Sequence, residues 1–256
     1  MSGVRTEVRD SVLEVTIDRP PANAIDAETS RELGEAFASL RDDPSLRAAI
    51  VTGAGERFFS AGWDLKAAVA GEDEEFGPGG FAGLTELFDL EVPVIAAVNG
   101  MAVGGGFELA LACDLIVAVR GAEMFVPEVN LGFVADAAGV VRLPSRLPRA
   151  VAMELLLTGR RMGADEAARY GLVNRVVEPD ELMAAARELA GRVAAAAPLA
   201  TRAVKAVVHA AEGLGTEEAY AAMRETPAYR TMLASEDADE GPRAFTDGRS
   251  PVWRGR

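Results

Sequence analysis

Apolar and polar positions alternate from Val4 to Asp18 in two short runs that meet at Arg9-Asp10-Ser11, which predicts a β-hairpin. Arg19-Pro20-Pro21 ends the second run, because proline has no N–H to give to a ladder. From about Ala27 to Asp42, Leu33, Phe37 and Leu40 return at helical spacing, and Asp26 or Thr29 is the candidate cap. Ala48 to Thr52 reads as a buried strand closed by Gly53-Ala54-Gly55. The stretch F-F-S-A-G-W-D-L-K, Phe58 to Lys66, then passes through Ala61-Gly62 into a helix start. The same order returns at Val92 to Val98, an apolar run that stops at Asn99-Gly100, followed by Gly104-Gly105-Gly106 and a helical pattern from Phe107 to Leu115. It returns again at Leu115 to Val119, through F-V-P-E-V-N-L-G to a helix near Ala137. Strand, loop and helix thus repeat, which predicts an α/β spiral of repeated ββα units with negligible identity between turns.

Residues 69–83 carry acids and glycines and predict a mobile surface loop. From Arg149 the pattern is helical: Val151 to Leu157, Ala164 to Tyr170, and Glu181 to Ala196 after Pro179-Asp180. Pro198 breaks the run, and further helices follow to Met232. The division expected is a core over 1–190 that holds the chemistry and a helical region over 191–256. Alanine-rich helices with narrow apolar stripes suit contacts with other chains as well as their own.

Composition narrows the function classes. With 256 residues, 49% of them hydrophobic, the chain can bury one large core. A net charge of −14 opposes binding to nucleic acid or an anionic membrane surface. One cysteine, Cys113, excludes an internal disulfide, and one histidine, His209, excludes a histidine-rich metal site, so no metal is expected. The N-terminal stretch has no apolar signal core and no run is long enough to span a bilayer, so the expected location is the cytoplasm.

The candidate chemistry lies in the glycine loops. Three glycines before a helix allow close backbone approach and aim free N–H groups at an anionic oxygen, and Glu108 falls in the first turn of that helix. Taken alone, Glu108 could simply complement the helix dipole, and Glu128 could be a solvated acid after a proline. The second glycine loop at Ala61-Gly62 shifts the balance, since two such loops can each point one N–H at a single oxygen, as in an oxyanion hole. A nucleophilic triad is not defensible: Ser60 has no histidine near it in sequence, and His209 sits in a helical Ala/Val stretch. Gly53-Ala54-Gly55 matches neither a dinucleotide fingerprint nor a P-loop.

These two loops, the Glu108 helix and the P-E-V-N-L-G run resemble the enoyl-CoA hydratase/isomerase (crotonase) superfamily over nearly the whole chain. The spacing of 20 residues between Glu108 and Glu128 suits its hydratase branch. Finer stretches, N-A-I-D-A-E-T-S, F-G-P-G-G-F-A-G-L-T-E, L-T-G-R-R-M-G-A and the terminal P-V-W-R-G-R, resemble the branch that adds water to crotonobetainyl-CoA. The resemblance implies a crotonase (ClpP-like) fold, an acyl-CoA thioester substrate with no separate cofactor, and trimers often paired into hexamers through a C-terminal trimerisation region. It implies Glu108 as base toward water and Glu128 as acid toward Cα. The N–H groups of Ala61 and Gly105 are the expected oxyanion donors.

Backbone around Ala22, Ala24, Asp64 and Leu65 is expected along the CoA path, with Arg19 and Lys66 as basic contacts. Gly104, Pro127 and Leu131 join the substrate-binding set, and Phe245 is a candidate to approach a neighbour's CoA. Where many relatives read P-G-A-G-G, this chain has Ala135-Asp136-Ala137-Ala138-Gly139. Asp136 and Trp63 therefore form a hypothesis for holding a trimethylammonium group, a carboxylate and an aromatic face, with ordinary packing as the alternative for Trp63. Other readings are a general short-chain enoyl-CoA hydratase, an isomerase, and an acyl-CoA-binding or RNA-binding protein without turnover.

Overall fold

The computed structural model describes residues 3–69, 71 and 75–256. The chain begins with the hairpin β1 (Val4–Arg9) and β2 (Val12–Ile17), turning at Asp10 and Ser11, both at positive φ. Helix α1 (Ala27–Asp42) starts where Asp26 accepts the Thr29 N–H at 2.8 Å and buries Leu33, Phe37 and Leu40. Three units then wind in one direction. The first is β3 (Ala48–Gly53), β4 (Phe58–Ser60) and α2 (Leu65–Val69). The second is β5 (Val94–Val98), β6 (Met101–Val103) and α3 (Gly105–Ala112). The third is β7 (Leu115–Val119), β8 (Glu123–Phe125), a 3-10 turn at Glu128–Leu131 and α4 (Gly139–Arg146).

The remainder is α5 (Arg149–Thr158), β9 (Met162–Gly163), α6 (Ala164–Arg169), β10 (Arg175–Val177), α7 (Leu182–Ala195) and α8 (Pro198–Ala211). Helices α9 (Thr216–Glu225), α10 (Pro227–Leu233) and α11 (Glu236–Asp247) follow. The first strand of each unit joins a sheet of order β1-β2-β3-β5-β7-β10, and the second joins a smaller sheet of order β4-β6-β8-β9. This is the expected spiral. Parallel strands β3, β5 and β7 are buried on both faces, which is why they read as unbroken apolar runs. Helix α7 covers strands β2, β3, β5 and β7.

Several elements depart from expectation. The helix expected over 107–115 begins at Gly105 and ends at Ala112, because Leu115 is already paired with Ile95 in the sheet. Helix α11 lies beyond Met232, where the helical reading stopped. Of the expected mobile loop over 69–83, residues 70 and 72–74 lie outside the described residues. Its later part is packed. Phe76 and Phe81 meet Trp63 edge to face, with centroids 5.1 and 6.1 Å away, and Phe81 and Ala82 are buried. Gly83, at φ 65°, lies directly against the backbone of Gly34 in α1. Two phenylalanines outweigh the acids and glycines that made the segment look unpackable.

Candidate active site

Helix α3 is capped by Gly104 at φ 52° and ψ −123°, a conformation that favours glycine. A side chain at Gly104 would also run into Glu128 Oε1. Glu108, in the first turn, is only 2% exposed, and its Oε1 accepts the Gly139 N–H at 2.7 Å. Glu128 lies at the start of the 3-10 turn that follows β8. The pairings Ile95↔Leu115 and Ala102↔Met124 set the length of one spiral turn, so an acid 20 residues after Glu108 returns to the same place. Glu128 Oε2 is buried and has no hydrogen-bond partner.

An unpartnered buried carboxylate oxygen is costly unless it is protonated or meets a ligand. Burial, with the negative field of Asp136, pushes the Glu128 carboxyl above the usual carboxylate range. Burial pushes Glu108 up to about 7; the Gly139 N–H opposes this, the charges of Glu128 and Asp136 reinforce it, and Arg142 opposes it. Two carboxyls poised near neutrality within one field are the groups needed for shared acid and base work.

The N–H donors require a correction. Ala61 N–H, an expected oxyanion donor, is already bonded to the Ala22 carbonyl at 3.0 Å, and Gly62 N–H goes to Ser60 Oγ at 3.1 Å. The chain around Trp63 bridges to Ile25: Ile25 N–H meets Gly62 O and Asp64 N–H meets Ile25 O, leaving Trp63 N–H without an acceptor among the described residues. Gly105 N–H, at the first helical position, has no acceptor in its helix. Gly62, at φ 79°, brings the loops together, since a Cβ there would lie 2.7 Å from Gly105 N. The free pair is therefore Trp63 and Gly105, not Ala61 and Gly105.

Arg19 also differs from its expected role. It forms ion pairs with Asp26 at 2.6 Å and Asp64 at 2.7 Å and donates to the Ala24 carbonyl, so it fastens the Ala22–Ile25 segment to the Trp63 loop. Two carboxylates already neutralise it, which leaves a poor phosphate contact. Lys66 is exposed and makes no ion pair among the described residues. Leu65 is exposed beside it. Asp136 is exposed at the rim and acts electrostatically on both glutamates. Trp63 makes the packing contacts that were its alternative reading, and Phe81 lies against Gly105. Pro127 precedes Glu128 as the cap of its turn, and Leu131 closes that turn, exposed. Phe245 is 88% exposed on α11. His209 stacks on Phe88 away from any nucleophile. Among the described residues no cluster of His, Cys, Asp and Glu could hold a metal ion.

Sequence reasoning missed Gly139 as donor to Glu108, Phe81 and Arg142. The pattern Ala138-Gly139 before a helix was a usable signal for the first.

A spiral of ββα units that presents two raised carboxyls beside free N–H groups is the architecture of acyl-thioester hydration and isomerisation. The Enoyl-CoA hydratase/isomerase family model matches residues 7–256, and the chain belongs to that family. It is 60% identical over 252 residues to a carnitinyl-CoA dehydratase of Proteus mirabilis, covering 97% of each chain. It is 59% identical over 250 residues to the enzyme of that name from Escherichia coli K12, covering 96% of each. Among solved structures, an enoyl-CoA hydratase from Mycobacterium tuberculosis superposes with a TM-score of 0.94 at 42% identity, over 100% of both chains. A carnitinyl-CoA hydratase from Mycobacterium avium gives 0.80 at 43% identity, also over 100% of both.

Proposed function

We propose that the protein catalyses the reversible addition of water to crotonobetainyl-CoA, giving carnitinyl-CoA. The observation that carries the reaction is the pair Glu108 and Glu128, both raised and in one electrostatic field. The 60% identity to a carnitinyl-CoA dehydratase supports the substrate. Ionised Glu108 takes a proton from water as its oxygen bonds to Cβ. Electron density moves through Cα onto the thioester oxygen, where the N–H groups of Trp63 and Gly105 meet the developing charge. Protonated Glu128 then delivers its proton to Cα. Removing one oxyanion donor of this type typically costs about 3 to 4 kcal/mol. Asp136 carries negative charge at the rim, suited to a trimethylammonium group.

The exposed apolar side chains Val204, Val208, Leu233 and Phe245 support a trimerisation role for residues 191–256, in a homotrimer or a pair of trimers. The reduced, buried Cys113 is consistent with a cytoplasmic location, and no helix among the described residues is long and apolar enough to cross a membrane. The likeness to an enoyl-CoA hydratase at a TM-score of 0.94 favours a second reading, hydration of a neutral short-chain enoyl-CoA by the same groups. Loss of the enoyl-thioester absorbance tests the proposal. Wild type should hydrate crotonobetainyl-CoA, while Glu108→Gln and Glu128→Gln should each fall by about 10²- to 10⁴-fold. No hydration of that substrate by wild type would overturn the proposal.

A further inference from the structure

Arg142, one turn into α4, is a guanidinium with no carboxylate partner within ion-pair distance among the described residues. Its Nη2 donates to the Thr85 carbonyl at 2.6 Å and its Nη1 to the Ala137 carbonyl at 3.4 Å. Each carbonyl belongs to a different wall of the site. Ala137 lies in the loop between Asp136 and Gly139, and Gly139 holds Glu108 through its N–H. Thr85 is fully buried, and its hydroxyl donates back to the Phe81 carbonyl at 2.8 Å. The Phe81 ring lies against Gly105, whose N–H is one of the two free donors. One planar fork therefore spans two chain segments that sequence separates by more than fifty residues.

We propose that Arg142 is a positioning residue for hydration: its guanidinium joins the Asp136–Gly139 loop to the Phe81–Thr85 turn, so that both close on Glu108 and Gly105 as one unit. A second consequence is electrostatic. Glu108 faces Glu128 from the 3-10 turn, Asp136 from the loop and Arg142 from α4. The other elements packed on α3, namely β4, β6 and the turn at Phe81–Gly83, carry no ionisable side chain. Arg146, also on α4, is bonded to the carbonyls of Leu111, Cys113 and Asp114 at the far end of α3. Arg142 is thus the cation that favours ionised Glu108 against two neighbouring acids. The catalytic consequence rests on the hydratase reading above; the linkage itself does not.

The test compares Arg142→Lys and Arg142→Met with wild type. Lysine keeps the charge but cannot span both carbonyls, whereas methionine keeps neither property. The first readout is infrared titration of the Glu108 carboxyl in the free protein, with Glu108→Gln identifying its band. Arg142→Met should move that titration up by roughly one pH unit, and Arg142→Lys should leave it near wild type. The second is hydration kinetics: kcat should fall about tenfold or more in both variants with KM changed less, and the acid limb of kcat/KM should move up in Arg142→Met alone. An unmoved Glu108 titration in Arg142→Met, or wild-type kcat in folded Arg142→Lys, would overturn the proposal. If wild type hydrates neither crotonobetainyl-CoA nor crotonyl-CoA, the functional reading fails, and the infrared titration still decides the role of Arg142.

Discussion

Glu108 shows how burial converts an ordinary carboxyl into a base suited to neutral pH. Its folded pKa is raised from 4.5 to about 7, so the native state binds more protons than the unfolded chain between those values. Stability from this group is fully present below about pH 4.5 and is lost as pH rises through 7. Ionisation should cost up to about 3 kcal/mol at pH 8. Glu108→Gln should remove that slope, so denaturant titrations at pH 5 and pH 8 should differ less for the variant than for wild type. In the active enzyme the same group must be ionised, and kcat/KM should rise through an apparent pKa near 7 that belongs to the coupled pair. Gly62 makes a second residue-scale prediction. A Cβ there would lie 2.6 Å from the Val103 carbonyl and 2.7 Å from Gly105 N, at φ 79°. Gly62→Ala should therefore cut kcat at least tenfold, whereas Trp63→Ala keeps its backbone N–H and should lose mainly packing, about 2 kcal/mol by chemical denaturation.

Loops and caps show which parts of the site the sequence alone could specify. The two glutamates were legible because one was placed by a helix start and the other by a repeated strand, and a spiral turn of that length brings them together. The N–H donors were less legible. The Ala61-Gly62 loop announces itself in glycine, but which N–H is free depends on the bridge between Ile25 and Trp63, a contact between segments 38 residues apart. Arg19 failed for the same reason: its carboxylate partners Asp26 and Asp64 are set by tertiary structure. The Phe76–Gly83 segment was misread because its composition hid two aromatic anchors. Ala138 gives an element-scale prediction. It holds φ 76° just before α4, a conformation that strains an L side chain. Ala138→Gly should stabilise the folded state by about 0.5 to 1 kcal/mol in thermal or denaturant melts, less what glycine adds to unfolded-chain entropy.

At the scale of the whole molecule, the spiral was predicted from the recurring strand, loop and helix, and its exposed faces were not. Phe133, Val134, Val141 and Leu157 are each at least 60% exposed near the glutamate loops, besides the apolar side chains on α8 to α11. A single chain in water seldom leaves so much apolar surface open, so sedimentation should give a mass three or six times 26.9 kDa. The acidic molecule also carries a negative rim at Asp136, where a cationic acyl group gains and a neutral one does not. The central claim is therefore a preference between substrates. The direct measurement is the ratio of kcat/KM for crotonobetainyl-CoA to that for crotonyl-CoA, in wild type and Asp136→Asn. A strong preference for the cationic substrate in wild type that falls about tenfold in Asp136→Asn is the predicted result. Equal or reversed preference in wild type would contradict the account and leave a hydratase of neutral enoyl thioesters.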